Sequence, residues 1–271
     1  MAKRVESPSS INTFKQCKRK YYYNYIENLP SVSNIHQVRG NIAHSVLEDF
    51  YDIDVSKFDE DDYQIKFRAA IQQLLVHQWK KYQSNLSEVN MSEDKLKFYF
   101  EESMMMCINW YNYFIQEFKK LLSTKQKTIQ EIFHELTPIR EEEYRSEQHS
   151  VRGFIDAIKL NKGEAHIIDY KTNARSEIKE SIILQLSIYS LLYQEKHGKI
   201  PEQVGIFFLR DKLKMLPSNE EMIKNAKFEI EAIHSHTTLT EEKGDYKKNI
   251  TPLCKWRTGQ CDFYDICKPR G

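Results

Sequence analysis

Two aspartates occupy positions where a half-apolar strand would ordinarily carry a core residue. Asp156 lies in VRGFIDAIKL and Asp169 in AHIIDYKT, with the polar, glycine-containing NKGE between them. Such a turn reads as a hairpin. With Lys162-Gly163 as the loop, or equally Asn161 to Glu164, Asp156 falls directly opposite Asp169. Paired residues place their Cβ atoms roughly 4.5–5.5 Å apart, so two carboxylates there repel. A hard divalent cation such as Mg²⁺ or Mn²⁺ prefers oxygen ligands and would turn that repulsion into a binding site. Lys171 follows on the same face of the strand, where an ammonium can orient a water or stabilise charge developing on a phosphate. The competing reading is a solvated face with Lys171 as a surface ion-pair partner, the commoner fate of an isolated D-x-K. A three- or five-residue loop would also part the carboxylates.

Other polar residues fall at chemically useful spacings. Gln185 and Tyr189 in SEIKESIILQLSIYSLLYQE share one helix face, beside a stripe of Ile183, Leu184, Ile188 and Leu191 that can enter a core. In RGNIAHSVLEDFY, Gly40, His44 and Glu48 recur at helical spacing, and a neutral His44 could complete a metal shell with Glu48 as its orienter. A surface His-Glu pair is the plainer alternative. Cys254, Cys261 and Cys267 stand in a C-x6-C-x5-C pattern, one ligand short of a zinc or iron–sulfur site, and the remote Cys17 is the natural fourth. Cys107, in SMMMCINWY, reads as a core residue. Lys15, Lys18, Arg19 and Lys20, interleaved with Tyr21, Tyr22, Tyr23 and Tyr25, could grip phosphates and stack on bases, or equally pack their rings inward.

The elements that must position these residues follow from periodicity. Apolar residues recur at three- and four-residue intervals from Ser10 to about Ser123, in SINTFKQCKRKYYYNYIENL and three longer amphipathic segments. Beyond KTIQ the period changes. IQEIFHELTPI, VRGFIDAIKL and AHIIDYKT read as strands, then a helix from about Ser176 to Glu195 and a strand in QVGIFFLR, with the rest charged and loop-like up to the cysteines. The expected organisation is α/β within one domain over 1–271: a helical part over 10–125, a core over 127–212, and a cysteine-bearing segment over 250–271 packing with the Cys17 region.

Composition narrows the class. The 271 residues suffice for a substantial core, and 40 Lys plus Arg nearly cancel 39 Asp plus Glu, so attraction to a polyanion must come from local patches. No run of about 18 apolar residues occurs and MAKRVESPSS lacks the apolar segment of a secretory signal. No membrane association and a cytoplasmic, reducing compartment are expected, where an odd count of five cysteines points to metal rather than disulfides. No G-x-x-x-x-G-K-[ST] occurs, so any ATP-driven helicase would be a separate partner.

GNIAH, GFID, DYK and QLSIY follow one another in the order and approximate spacing of the PD-(D/E)XK nucleases of the RecB type, and the chain resembles that superfamily from SSINTFKQCKRKYYYNYI to CDFYDIC. The resemblance implies a restriction-endonuclease-like mixed central sheet flanked by helices. It also implies a Mg²⁺- or Mn²⁺-dependent DNA nuclease, more readily an exonuclease than an endonuclease, acting on single-stranded DNA or duplex ends. Repair, recombination, phage replication and CRISPR adaptation are the implied settings, with a helicase, recombination or CRISPR-adaptation protein as partner. By the same resemblance His44, Asp156 and Asp169 bind the metal, Lys171 serves the attacking water, and Gln185 with Tyr189 position the site or the strand. Glu135, on the strand expected before GFID, is a further acidic candidate. The cysteines resemble the iron–sulfur branch, which includes the CRISPR spacer-adaptation nuclease and the AddB nuclease subunit, and imply a 4Fe-4S cluster on Cys17, Cys254, Cys261 and Cys267, with zinc as the alternative. The match departs from C-x2-C-x5-C, since Arg257 stands where the middle cysteine is expected. The rival readings are a non-catalytic DNA-binding or scaffold subunit and an RNA or nucleotide phosphohydrolase.

Overall fold

The computed structural model describes residues 4–31, 34–240, 242–256 and 259–268; Arg257 lies outside them. A Ser7–Ser10 capping box starts α1 (Pro8–Gln16). The single helix expected from Ser10 breaks at Cys17, whose backbone is extended, before α2 (Lys18–Tyr21) and a π-helical turn, Tyr22–Ile26. Asn34 caps α3 (Ile35–Asp49) through a second capping box with Gln37. Then come α4 (Tyr63–Lys81), α5 (Gln83–Glu88) and the long α6 (Glu93–Leu122), matching the amphipathic segments read from the sequence.

IQEIFHELTPI is not a strand. Thr128 and Glu131 form a capping box that opens α7 (Ile129–Leu136), which buries Ile129, Ile132 and Phe133 at helical spacing. The strand before GFID is instead the charged β1 (Ile139–Ser146), followed by β2 (Val151–Asn161) and β3 (Glu164–Lys171). Lys162 (φ 49°) and Gly163 (φ 86°) make the two-residue turn of the β2–β3 hairpin, both left-handed as a type I′ turn requires. After α8 (Glu180–His197) come β4 (Gln203–Phe208) and β5 (Leu213–Pro217). The stretch expected to be loop-like carries β5 and then α9 (Glu220–Leu239), which buries Ile223, Ala226, Ile230 and Ile233 beneath a charged outer face. Short β6 (Lys255–Trp256), β7 (Gly259–Gln260) and α10 (Tyr264–Cys267) close the cysteine-bearing end.

The main sheet has the order β1-β2-β3-β4-β5, antiparallel except for the parallel β3–β4 pair, which α8 connects. One face packs on α3, α4, α6 and α7 through Ala157, Ile168, Tyr170 and Phe207. The other packs on α1, α8 and α9 through Val151, Ile155, Ile158, Ile167 and Ile206. Along β2 the alternation slips at Asp156, because Ile155 and Ile158 face the same core while Ala157 faces the opposite one. The irregularity sits where the hairpin reading placed the two aspartates.

Candidate active site

Regular pairing runs up to Ala157↔Ile168 between β2 and β3, and one further step in that register sets Asp156 opposite Asp169. On the other side, Arg140↔Ala157 and Glu142↔Ile155 bracket Glu141 opposite Asp156. Glu141 and Asp156 thus face each other where the β1–β2 ladder skips a pair, and Asp169 is the next residue of β3 beyond the last β2–β3 pair. Glu141 is left-handed (φ 46°), a strained backbone that costs about 1–3 kcal/mol and is tolerated where surroundings enforce it. Asp156 Oδ2 accepts the Tyr170 backbone N–H at 2.6 Å, so the carboxylate replaces a ladder acceptor.

Helix α3 delivers His44 to these acids. Its Nε2 lies 3.0 Å from the Tyr170 carbonyl oxygen, which selects the tautomer with hydrogen on Nε2 and turns Nδ1 toward the acids. Nδ1 stands 3.3 Å from Asp156 Oδ1 and 4.0 Å from Glu141 Oε1. Gly40, one turn earlier, lies beside Thr172 just past the end of β3, whereas Glu48 is exposed and offers no hydrogen bond to His44.

Helix α8 supplies the second wall. Gln185 Nε2 donates to Asp169 Oδ1 at 2.7 Å and lies 2.8 Å from the Tyr189 hydroxyl, which is 3.5 Å from the same Oδ1. Tyr189 approaches β2 this closely because residue 153 is glycine: a Cβ there would sit 2.9 Å from Tyr189 Cε1. Lys171 Nζ is 2.8 Å from Asp169 Oδ2, an ion pair lacking hydrogen-bond alignment, and that buried oxygen has no hydrogen bond.

The electrostatics follow from packing acids together out of water. Burial, then the Asp156 charge, pushes Glu141 up to about 7. Burial pushes Asp169 up to about 6, with Lys171 opposing and Asp156 adding. Burial alone would lower the His44 imidazolium, but Asp156 chiefly, with Asp169 and Glu141, holds it up to about 9. Lys171 is likewise lifted above its ordinary range by Asp169 despite burial.

The structure thus brings together His44, Asp156, Asp169, Lys171, Gln185 and Tyr189. It excludes Glu135, which lies exposed on α7 and pairs with Lys127 at 2.6 Å. Glu141 takes the place sought for it. Nothing in the unalternating REEEYR marks that glutamate; only a register propagated outward from GFID would find it. One atom each of His44, Glu141 and Asp156 lies within 4.8 Å of the others, a grouping Asp169 adjoins without joining. Two oxygens and an imidazole nitrogen, next to Asp169 with its Lys171 ion pair, fit a hard divalent cation such as Mg²⁺ or Mn²⁺.

Cys17, Cys254, Cys261 and Cys267 are free thiols lining one cavity with Lys20, Tyr23 and Phe263. Burial raises the Cys261 and Cys267 thiols, and Cys17 is close enough to add to both. Cys107 is the core residue expected, fully buried with its thiol pushed up to about 12. The basic-aromatic stretch also turns inward. Tyr21 and Tyr23 are buried, Lys15 pairs with Glu229, and Arg19 Nε donates to the Tyr246 carbonyl at 2.8 Å.

The family model described as PD-(D/E)XK nuclease superfamily matches residues 6–268. The chain belongs to this superfamily. Among solved structures, one from Eubacterium rectale named "putative exonuclease" is similar with a TM-score of 0.52 at 9% identity, over 98% of this chain and 93% of that one. At that identity the likeness speaks for the fold, which agrees with the restriction-endonuclease-like sheet expected of a PD-(D/E)XK nuclease. No curated protein sequence matches the chain. Among the described residues, no helix of this nuclease is long and apolar enough to cross a membrane.

Proposed function

We propose that this nuclease hydrolyses phosphodiester bonds of DNA with Mg²⁺ or Mn²⁺, as an exonuclease acting on single strands or duplex ends. One observation carries the reading: His44, Glu141 and Asp156 converge within 4.8 Å of one another, with Asp169 and its Lys171 ion pair on the adjoining strand β3. In this reading His44 Nδ1, Glu141, Asp156 and Asp169 Oδ2 hold the ion. A bound ion would polarise the scissile phosphate and make a neighbouring water more acidic.

The chain's own residues then divide the work. Gln185, with Tyr189 behind it, occupies Asp169 Oδ1 and so commits Oδ2 to the site. The Lys171 ammonium, 2.8 Å from that oxygen, is placed to orient the attacking water and to stabilise charge accumulating on the phosphate. His44, fixed through Nε2 by the Tyr170 carbonyl, presents one nitrogen in a set direction. Cys17, Cys254, Cys261 and Cys267 hold a 4Fe-4S cluster in the same reading, supported by four free thiols that line one cavity.

The deciding experiment is cleavage of end-labelled single- and double-stranded DNA in Mg²⁺, Mn²⁺ or EDTA, with Lys171→Ala and Asp169→Ala alongside. Metal-dependent cutting that falls at least roughly a hundredfold in both variants, with melting cooperative, is expected. An Asp169→Ala protein that still cuts overturns the assignment, and the product ladder gives the polarity.

A further inference from the structure

A second charged cluster borders the acidic site and takes no part in it. Arg39, one residue before Gly40 on α3, is buried, and its Nη1 lies 2.6 Å from Glu102 Oε2 on α6. Arg210 reaches the same carboxylate as a fork, with Nη1 2.9 Å from Oε1 and Nη2 3.0 Å from Oε2. Two guanidiniums thus share one carboxylate and leave a net positive charge in a molecule that is nearly neutral. Arg39 Nε is buried without any hydrogen-bond partner.

Backbone geometry joins this cluster to the catalytic strand end. The Leu209 N–H donates to the Lys171 carbonyl at 2.9 Å, and Arg39 Nη2 lies 3.4 Å from the Thr172 carbonyl. Arg210 stands at the tip of the tight turn between β4 and β5, closed by an Asp211 N–H bond to Phe208 at 2.8 Å. Asn109 on α6 clamps that turn by donating to the Leu209 and Asp211 carbonyls at 3.0 and 2.8 Å. Arg210 is therefore set at the carboxyl ends of the parallel strands β3 and β4, where open α/β sheets bind ligands. Arg210, its side chain 28% exposed, lines a cavity of about 300 Å³ with Met105, Met106, Asn109 and Leu209. The fork to Glu102 leaves further N–H groups unpaired, oriented in a plane suited to a phosphate.

We propose that Arg210, anchored by Glu102 and backed by Arg39, is a phosphate-binding subsite for the DNA strand next to the scissile phosphodiester. The inference rests on the nuclease reading above. The attraction is local and positional, so it gives the strand its register past Lys171 rather than a long-range pull.

The test is the affinity of a fluorescein-labelled single-stranded oligonucleotide, by anisotropy in EDTA over a range of NaCl. Wild type is compared with Arg210→Ala and with Arg210→Gln, which keeps a polar side chain beside Glu102 should the alanine variant fail to fold; in both, Glu102 keeps its ion pair with buried Arg39. Both variants are expected to bind about tenfold more weakly, with a plot of log affinity against log salt shallower by about 0.7 to 1. Wild-type affinity and slope in either folded variant overturn the subsite while leaving the nuclease reading intact. A wild-type protein that neither binds nor cuts DNA overturns that reading itself.

Discussion

At the residue scale, the acidic site is held together at a cost that the metal-free protein bears. Glu141 at about 7 and Asp169 at about 6 both lie above the ordinary carboxylate range, so the folded chain binds their protons more tightly than the unfolded chain does. Their contribution to stability is full at low pH and lost as pH rises through those values. His44, held up to about 9 from an ordinary 6.5, acts in the same direction, its contribution full below 6.5 and lost as pH rises through 9. In EDTA the melting temperature is therefore expected to fall from about pH 4, where the unfolded carboxyls begin to ionise, to about pH 9, and Mn²⁺ added at the upper end should restore most of the loss. Glu141→Gln removes one charge from the site. Scanning calorimetry in EDTA above pH 7 is expected to show it stabilised by roughly 1 kcal/mol, while its metal-dependent cleavage falls at least roughly tenfold. Unchanged cleavage would place Glu141 outside the ion's shell. The hairpin that carries Asp156, Asp169 and Lys171 was legible because a two-residue turn fixes its register. Glu141 was not, since its strand alternates no apolar residues and its neighbour in space is fifteen positions away in sequence.

At the scale of elements, the helix–strand contact between α8 and β2 sets the site's precision. Gly153→Ala would drive a methyl to 2.9 Å from Tyr189 Cε1 and 3.3 Å from Leu192 Cδ1, in a face with no room to yield. A loss of about 1–3 kcal/mol is expected from overpacking. Because Tyr189 and Gln185 hold Asp169, kcat should fall while KM for DNA changes little, which steady-state kinetics would separate. The sequence reading of α8 succeeded for the reason this contact exists: a long apolar face flanks two polar residues on one turn. The errors at α7 and α9 have physical causes too. In IQEIFHEL a run of β-branched and aromatic residues masked the Thr128–Glu131 capping box, and α9 spends so many charges on its solvent face that its buried residues were thinly spread.

At the scale of the molecule, the cysteine-lined cavity ties the α1–α2 junction to the far end of the chain. Cys17→Ser is expected to abolish cluster absorbance in anaerobically purified protein and to destabilise the fold by about 2–5 kcal/mol, as losing a long-range cross-link does. Spectroscopy with iron analysis checks the first, and chemical denaturation the second. Zinc without iron in wild type would reassign the site. A cluster there would not tie the ends alone, for α1 packs on α8 and α9, Glu6 bonds across to Ser150 and Arg152, and Arg19 bonds to Tyr246, 227 residues away. This placement has a consequence for biosynthesis. At about 5–20 residues per second, the segment around Arg19 leaves the ribosome roughly 10–45 s before its partner at Tyr246 exists. During that interval its apolar face and its thiol are open to chaperones, proteases and oxidants.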